Sequence, residues 1–313
     1  MTDHLPQIAI VIPVFNEEQV LPELLARLEA LFRDHSDCGW RAIFVNDGSR
    51  DHSAELIHAQ GLRDSRFELV ELSRNFGFQS ALAAGLSAAR EADAAVTMDA
   101  DLQDPPELIP DLVAAWRAGA EVVRAVRRSR QETGARRVGF DLFHAVFGKL
   151  TDIPIEPNTG TFGLLGRHAL AAFVALPERH RFFPGLRSWI GFATADVAYD
   201  RQERAAGAPK QTFRRLVRYA VDGFFSFSYL PLRFLTYTGI LVSGLGFALG
   251  TFFIVKRLLG IETATTGFTT LVSLVTFLGG IQLIGIGVLG EYLGRVYDEV
   301  KQRPIYLVKP TRR

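Results

Sequence analysis

This 313-residue sequence has very little cysteine and almost no net charge. Its single cysteine, Cys38, excludes an internal disulfide framework and any metal site built from several cysteines. The formal net charge of +1 gives no electrostatic reason to expect a nucleic-acid partner. Residues 1–6 lack a basic region followed by an apolar stretch, so no signal peptide is predicted. These absences favour a protein whose chemistry takes place in the cytosol.

Charged residues are missing from two long stretches of the C-terminal part, residues 234–255 and 267–290. Each is longer than the roughly 20 residues that an α-helix needs to cross a bilayer, so we predict two transmembrane helices. Two core helices of a soluble protein are the alternative. Residues 213–232 combine aromatic and basic side chains at helical spacing, which predicts an interfacial amphipathic helix. An ordinary amphipathic surface helix is the alternative there.

The cations that flank these stretches predict their orientation. Cytoplasmic flanks carry the excess of lysine and arginine, so we predict a multi-pass protein of the inner (plasma) membrane with both termini in the cytoplasm. The spacings Gly246–Gly250 and Gly290–Gly294 allow close helix contact, either between the two spans or between subunits of a homo-oligomer. The cations before the first stretch are Arg214, Arg215, Arg218 and Arg233; those after the second are Arg295, Lys301, Arg303, Lys309, Arg312 and Arg313; the connection has Lys256 and Arg257.

Apolar runs alternate with helix-patterned segments in the N-terminal part of the chain. Such alternation predicts an α/β fold with a mostly parallel sheet. We divide the chain into a globular domain at 1–212, interfacial helices at 213–232, a two-helix transmembrane domain at 233–291 and a cytoplasmic tail at 292–313. The runs that predict strands are residues 8–16, 41–46, 67–72, 94–98, 121–126 and a glycine-containing 158–165; helical spacing is present at 19–32, 79–90 and 108–116.

An acidic stretch, residues 97–107, follows the fourth predicted strand. Asp99 and Asp101 are two positions apart, so both would face the same side of a continuing strand. Two like charges there are costly unless a cation lies between them, and a divalent ion completed by substrate phosphates is the natural occupant. Asp104 and the prolines after it predict an N-cap opening a helix. An acidic turn that only caps this helix is the alternative.

Polar residues also follow the first two predicted strands: Asn16 and Glu17 after the first, and Asp47, Gly48 and Ser49 after the second. Neither the Gly-x-Gly-x-x-Gly dinucleotide fingerprint nor a Gly-Lys-Ser/Thr phosphate loop is present. Polar groups at successive strand ends suit the base and ribose of a nucleotide whose diphosphate is bound to a metal ion. A simple tight turn is the alternative for the second group.

Six arginines lie near the end of the fifth predicted strand and in the segment after it. Arginine binds phosphates bidentately, so this cluster suits a site that handles phosphate groups. A solvated basic surface is the alternative for some of its members. The arginines concerned are Arg124, Arg127, Arg128, Arg130, Arg136 and Arg137.

With these residues established, the chain resembles family 2 glycosyltransferases. More narrowly, it resembles the polyprenyl-phosphate glycosyltransferases, which include the bactoprenol glucosyltransferases and, more distantly, the dolichyl-phosphate mannose synthases. The resemblance covers nearly the whole length. It is carried by Ile-Pro-Val-Phe-Asn-Glu-Glu at 12–18, Val-Asn-Asp-Gly-Ser at 45–49, Ser-Arg-Asn-Phe-Gly at 73–77, Met-Asp-Ala-Asp-Leu-Gln-Asp-Pro-Pro-Glu at 98–107, Leu-Pro-Glu-Arg-His-Arg-Phe-Phe at 176–183 and Leu-Gly-Glu-Tyr-Leu-Gly-Arg-Val-Tyr at 289–297.

The resemblance implies a GT-A fold, a UDP-sugar donor, a polyprenyl phosphate acceptor, and Mg²⁺ or Mn²⁺ as cofactor. Asp99 and Asp101 would form the Asp-x-Asp metal motif, with Asp101 the better candidate for direct ligation. Asp99, Asp101, Arg127 and Arg130 would be catalytic. The donor would be bound by Pro13, Asn16, Glu17, Asp47, Gly48, Ser49, Asn75, Asp99 and Gln103, of which Pro13, Glu17 and Asp47 would contact the uridine; the acceptor phosphate would be bound by Arg127, Arg130, Arg204 and Lys210.

Two positions depart from the family pattern. Residues 158–162 read Asn-Thr-Gly-Thr-Phe, without the carboxylate that members often have there, and Arg124 replaces a common uncharged aromatic residue. A phosphate monoester has its second pKa near ~6 and is mostly ionised at pH 7, so the acceptor needs little help from a base. We expect inverting transfer from UDP-glucose. A glycan or glycolipid acceptor, and a catalytically silent membrane adaptor, are the alternatives.

Overall fold

The computed structural model describes residues 5–128, 159–179, 181–200, 230–259 and 267–310. By their contacts, these residues form two units. The first contains the described residues up to 200 together with 303–310, and the second contains those from 230 to 302.

The first unit is built on one seven-stranded sheet with the strand order β3-β2-β1-β4-β6-β5-β7. Neighbouring strands are parallel except where β6 pairs with β4 and with β5, which are antiparallel pairings. The predicted α/β fold with a mostly parallel sheet is therefore confirmed. The strands are β1 (Gln7–Val14), β2 (Gly39–Asn46), β3 (Phe67–Glu71), β4 (Ala94–Thr97), β5 (Val122–Arg127), β6 (Thr159–Gly166) and β7 (Thr194–Tyr199).

Helices cover both faces of the sheet. Ile8, Ile10 and Ile12 of β1 pack in the core with the buried leucines of α1, whose spacing places them on one helix face. The other face of β1 meets α3, where Gly85 brings the helix close to Val11. This double burial explains the uninterrupted apolar run of β1. The helices of this unit are α1 (Leu21–Asp34), α2 (Ser53–Arg63), α3 (Phe78–Ala88), α4 (Ile109–Arg117), α5 (Arg167–Ala175) and α6 (Phe183–Trp189), with a 3₁₀ turn at Pro106–Leu108.

Gly163 is the tightest point of the antiparallel strand β6. It pairs with Thr97 of β4 and Arg124 of β5, and a Cβ there would overlap the carbonyl oxygen of Val123 and lie 3.2 Å from Nη1 of Arg187. We therefore expect Gly163→Ala to lower the free energy of unfolding by about 1–3 kcal/mol, the usual cost of overpacking. Urea denaturation of the variant measures this cost. Gly119→Ala is not a fair control, because Gly119 has a positive φ of 109°. Gly267→Ala serves as the control, because a Cβ at Gly267 would have no described atom within 4 Å.

The second unit consists of two long helices, α7 (Leu230–Leu258) and α8 (Phe268–Val300). Each contains a segment long and apolar enough to cross a membrane, Pro231–Phe252 and Phe277–Val300. The two helices contact each other near Leu235 and Gly285. Among the described residues, nothing lies within 4 Å of a Cβ built at Gly246 or Gly290. Close contact through the predicted glycine spacings, between the two spans or between subunits, therefore stays a prediction.

The predicted domain boundaries stay predictions. The interfacial segment, residues 213–232, falls almost wholly outside the described residues. Helix α8 continues to Val300, beyond the predicted end of the transmembrane domain at residue 291. Part of the predicted tail returns to the first unit, where Val308 forms an antiparallel bridge with Leu72, just after β3.

Candidate active site

The acidic stretch leaves the carboxyl end of β4 with an alternating pattern of burial. Met98, Ala100 and Leu102 are buried, whereas Asp99 and Asp101 are partly exposed. This alternation places both carboxylates on the accessible side of the segment, as the two-residue spacing predicted. Leu102 then takes a positive φ of 58°, which turns the chain after Asp101.

Each of these carboxylates is held by a neighbouring donor. The hydroxyl of Thr161, on β6, donates to Oδ1 of Asp99 at 3.2 Å, and the backbone N–H of Gln103 donates to Oδ1 of Asp101 at 3.2 Å. Thr161 is itself fixed, because its carbonyl oxygen accepts a 2.5 Å bond from the hydroxyl of Thr97. Thr161 belongs to the segment in which the resembled family often has an acid. In this chain the position supplies a hydrogen-bond donor to Asp99, a role that the sequence did not indicate.

The carboxylate pair fits a divalent cation. Within the described ranges, no group of three or more His, Cys, Asp or Glu side chains could hold a metal ion by itself. Two carboxylates are nevertheless the donor set expected for Mg²⁺ or Mn²⁺, which keep several waters and take substrate phosphates as further ligands. Such a site would be complete only with the donor bound.

The far end of the acidic stretch is tied to α1. Arg27 donates from Nε and Nη2 to the two carboxylate oxygens of Glu107, at 2.8 and 2.5 Å. These bonds hold the pKa of Glu107 below its ordinary value. A bidentate pair has a fixed geometry, so it ties the 3₁₀ turn at the end of the acidic stretch to α1.

Asp104 does not have the role predicted from the sequence. The 3₁₀ turn begins after Pro105 and has no side-chain cap, so the predicted N-cap at Asp104 is wrong. Asp104 is instead buried and accepts a 2.5 Å hydrogen bond from the hydroxyl of Tyr199, at the end of β7. The local sequence favoured a cap, but the carboxylate of Asp104 is hydrogen-bonded to a residue 95 positions away in the sequence.

Tyr199 also accepts a hydrogen bond at 3.3 Å from Nε of Arg127, at the end of β5. Burial and the carboxylate of Asp104 raise the pKa of Tyr199 well above its ordinary value, so the phenol stays protonated at neutral pH. Burial lowers the pKa of Arg127, but Tyr199, Asp104 and Asp99 together raise it above its ordinary value. Arg127 is thus a cation oriented by Tyr199 and within electrostatic reach of Asp99.

The turn after β2 interlocks with the loop after β3. Asp47 is only 3% exposed, and its two oxygens accept the backbone N–H groups of Phe76 at 2.7 Å and Gly77 at 2.9 Å. Burial raises the pKa of Asp47, and these two donors oppose the shift. Gly48 has a φ of 70°, and a Cβ there would lie 2.7 Å from the backbone nitrogen of Asn75. Asp47, Gly48 and Asn75, predicted to bind the donor, are therefore neighbours.

The ends of β1 and β2 are joined in the same manner. The backbone N–H of Asn16 donates to the hydroxyl of Ser49 at 3.0 Å, and the N–H of Glu17 donates to the hydroxyl of Ser53 at 3.0 Å. These bonds bring the predicted donor-binding residues Asn16, Glu17 and Ser49 together. Pro13 lies within β1, buried and paired with Val45.

The remaining basic residues fall into two groups. Arg130, Arg204 and Lys210 lie outside the described residues, so their predicted contact with the acceptor phosphate stays a prediction. Arg124, the unusual residue of β5, makes a bidentate ion pair with Asp196 of β7 at 2.7 and 3.0 Å. This pairing explains how a charge is accommodated where an aromatic residue is common.

Tyr199→Phe tests the positioning of Arg127. Loss of the hydroxyl leaves Nε of Arg127 without its Tyr199 partner and removes the Tyr199 donor from the buried Asp104. We expect a loss of about 1–3 kcal/mol in the free energy of unfolding. When sugar transfer is measured, we expect kcat/KM for the acceptor to fall about tenfold, the effect of losing one hydrogen bond to a charged group. The KM of the donor should change little. Equal losses in both substrates would contradict this role.

Comparison with known proteins finds a matching family model, similar sequences and a similar solved structure. The family model described as Glycosyl transferase family 2 matches residues 9–172. An uncharacterized glycosyltransferase of Synechocystis sp. is 45% identical over 96% of this chain and 94% of its own length. The SfII prophage-derived bactoprenol glucosyl transferase of Shigella flexneri is 40% identical over 98% of this chain and 99% of its own length. A solved mannosyltransferase of Pyrobaculum calidifontis, in complex with GDP-Man and Mn²⁺, covers 95% of this chain and 88% of its own at a TM-score of 0.48 and 15% identity.

Proposed function

This chain belongs to glycosyl transferase family 2, and we propose that it transfers a sugar from a UDP-sugar to a polyprenyl phosphate. It is a glycosyltransferase with a GT-A-like α/β domain and two apolar helices. One observation carries the proposal: a positioned arginine, Arg127, lies within electrostatic reach of Asp99 in a carboxylate pair suited to a metal-bound diphosphate. Such a site can bind two phosphate-bearing substrates side by side.

The donor we propose is UDP-glucose. Support comes from the relatives named bactoprenol glucosyl transferase, which cover nearly the full length of the chain. The nucleotide would lie along the joined ends of β1 and β2, where Asn16, Glu17 and Ser49 meet. Asp47, which we propose to contact the uridine, also holds the backbone of the neighbouring loop through both of its oxygens.

Asp99 and Asp101 would hold the Mg²⁺ or Mn²⁺ ion, and Gln103 lies next to them. When bound, a divalent ion neutralises charge that develops on a departing diphosphate. The chain's own contribution is to keep both carboxylates oriented: the hydroxyl of Thr161 donates to Asp99, and the backbone N–H of Gln103 donates to Asp101.

The acceptor oxygen would attack the anomeric carbon from the side opposite the diphosphate. A bond forms between that oxygen and the sugar carbon, the bond from the carbon to the diphosphate oxygen breaks, and UDP leaves with the electron pair. The phosphate is already anionic near neutral pH, so no general base is required. Arg127, with Arg130, Arg204 and Lys210, would neutralise and aim it. The product is an inverted, β-linked polyprenyl-phosphate sugar.

The two apolar helices give a reason for a lipid acceptor. Helices α7 and α8 each contain a segment that can cross a bilayer, which would keep the catalytic domain at the surface where a polyprenyl phosphate exposes its headgroup. We propose that this surface is the cytoplasmic face of the inner membrane, because cations flank the spans on the side of both termini.

Radiolabel transfer from a panel of UDP- and GDP-sugars to undecaprenyl phosphate tests this function. The assay uses detergent-solubilised full-length protein, with and without Mg²⁺ or Mn²⁺. We expect a metal-dependent, organic-extractable product from UDP-glucose. A product from another donor would correct the sugar only. Transfer to a glycan in the absence of polyprenyl phosphate, or nucleotide binding without transfer to any acceptor, would contradict the proposal.

A further inference from the structure

The last described residues of the chain return to the edge of the catalytic sheet. Strand β3 is an outer strand, and its exposed edge would otherwise present unpaired backbone groups to solvent. Residues 307–309, here called the C-terminal strand, cover the end of this edge. The bridge between Leu72 and Val308 is antiparallel.

Hydrogen bonds on both sides of this bridge make the pairing specific. The N–H of Ser73 donates to the carbonyl of Leu307 at 2.8 Å, and the N–H of Lys309 donates to the carbonyl of Glu71 at 2.8 Å. Nζ of Lys309 also lies 3.2 Å from Oε1 of Glu71. Both of these side chains are partly exposed, so the ion pair is the weaker part and the backbone bonds define the register.

The same backbone continues directly into the candidate donor site. Leu72 is fully buried, and its N–H donates to the carbonyl of Asn46, the residue before Asp47. Residues 73–77, here called the donor loop, start at Ser73 and end where the N–H groups of Phe76 and Gly77 reach Asp47. The loop is therefore held at one end by Asp47 and at the other by the C-terminal strand.

We propose that the C-terminal strand contributes to donor binding by positioning the donor loop. Its pairing with β3 fixes the start of the donor loop, and this places Asn75 against Gly48 in the arrangement that binds the nucleotide. The backbone of residues 307–309 thus positions the loop and does not act on the substrate, and the side chain of Lys309 has no part in this role. The identity of the nucleotide rests on the proposed function; the pairing itself does not.

Lys309 offers a matched pair of variants. Lys309→Pro removes the backbone N–H that bonds to Glu71, together with the ammonium group. Lys309→Ala removes the ammonium group and keeps the N–H. A third protein, ended after Gln302, keeps all of α8 but has no C-terminal strand. All three are purified as full membrane proteins in detergent, and thermal unfolding confirms that each is folded.

Two measurements follow, the first without any ligand. Amide hydrogen exchange of the peptide spanning residues 73–77 should be at least about tenfold faster in Lys309→Pro and in the shortened protein, because the loop opens at lower cost. The Kd for UDP with Mn²⁺ should rise about five- to twentyfold in the same two proteins, a usual range for coupling between sites. Lys309→Ala should stay within about twofold of the original protein, as expected for a partly exposed ion pair.

The outcomes separate this proposal from the proposed function. Unchanged exchange in the donor loop, or an unchanged Kd for UDP, in both Lys309→Pro and the shortened protein overturns the role of the C-terminal strand. If the original protein does not bind UDP, the proposed donor is wrong, and the exchange rates alone decide whether the strand holds the loop. A rise in donor KM with an unchanged acceptor KM would support the proposal, since general destabilisation would affect both.

Discussion

Asp101→Asn should reduce sugar transfer by about 100- to 1,000-fold, the usual loss when one electrostatic contact to the departing group is removed. The substitution keeps the size and one oxygen of the side chain, so the hydrogen bond from the N–H of Gln103 can persist. It removes the negative charge that would help to hold a divalent ion. Asp101 is partly exposed, and the thermal unfolding midpoint should therefore change little. Radiolabel transfer at saturating donor measures the loss.

Asp111→Asn is the matched control for this variant. Asp111 is a carboxylate on the next helix, α4, where it is exposed to solvent. Its replacement should leave transfer within about twofold of the original activity, as expected for a surface substitution. Binding of Mn²⁺ in the presence of UDP, followed by electron paramagnetic resonance, should weaken in Asp101→Asn alone. Full transfer activity in Asp101→Asn would refute the assignment of the metal site.

Arg127→Gln should reduce kcat/KM for the acceptor by about 100-fold, because it removes the cation that we propose to face the reacting phosphate. Arg127 is partly buried, and its guanidinium is oriented by Tyr199 near Asp99 and Asp104. Glutamine retains hydrogen-bond donors but no charge. Binding of UDP should be nearly unaffected, so the loss should be confined to the acceptor. Arg127→Lys should recover part of the activity, since lysine restores charge without the planar fork.

Arg128, the next residue in the chain, is the control for Arg127. Its side chain is 64% exposed, and its Nη1 lies 3.9 Å from Oδ2 of Asp200. Arg128→Gln should therefore retain nearly full activity. An equal effect of Arg127→Gln and Arg128→Gln would show that general basic charge matters and that the position of Arg127 does not.

Much of the fold follows from local patterns in the sequence. The apolar runs of β1 and β2 predicted strands buried on both faces, and the structure has them there. The two-residue spacing of Asp99 and Asp101 predicted that they share one side, and the alternating burial agrees. These predictions succeed because strand periodicity is a property of neighbouring residues.

The bonds that orient the site could not be predicted in this way. Thr161 and Asp99 are 62 positions apart, and Tyr199 and Asp104 are 95 apart. A local pattern favoured Asp104 as a cap, whereas burial beside Tyr199 decided its role. Strand β7 alternates exposed and partly exposed residues up to the buried Tyr199, so its sequence contains no apolar run that would predict a strand. The pairing of Lys309 with Glu71 spans 238 positions and depends on the whole fold.

Acceptor choice is the most direct test of the central claim, that the attacking group is a lipid-linked phosphate monoester. Undecaprenyl phosphate, undecaprenol and undecaprenyl diphosphate are compared as acceptors with the donor identified in the panel, and released UDP is measured together with the lipid product. We predict one UDP released for each sugar transferred, with the monophosphate alone as acceptor and a product that mild acid cleaves to free sugar. Transfer to undecaprenol at a rate similar to that of the monophosphate would contradict it.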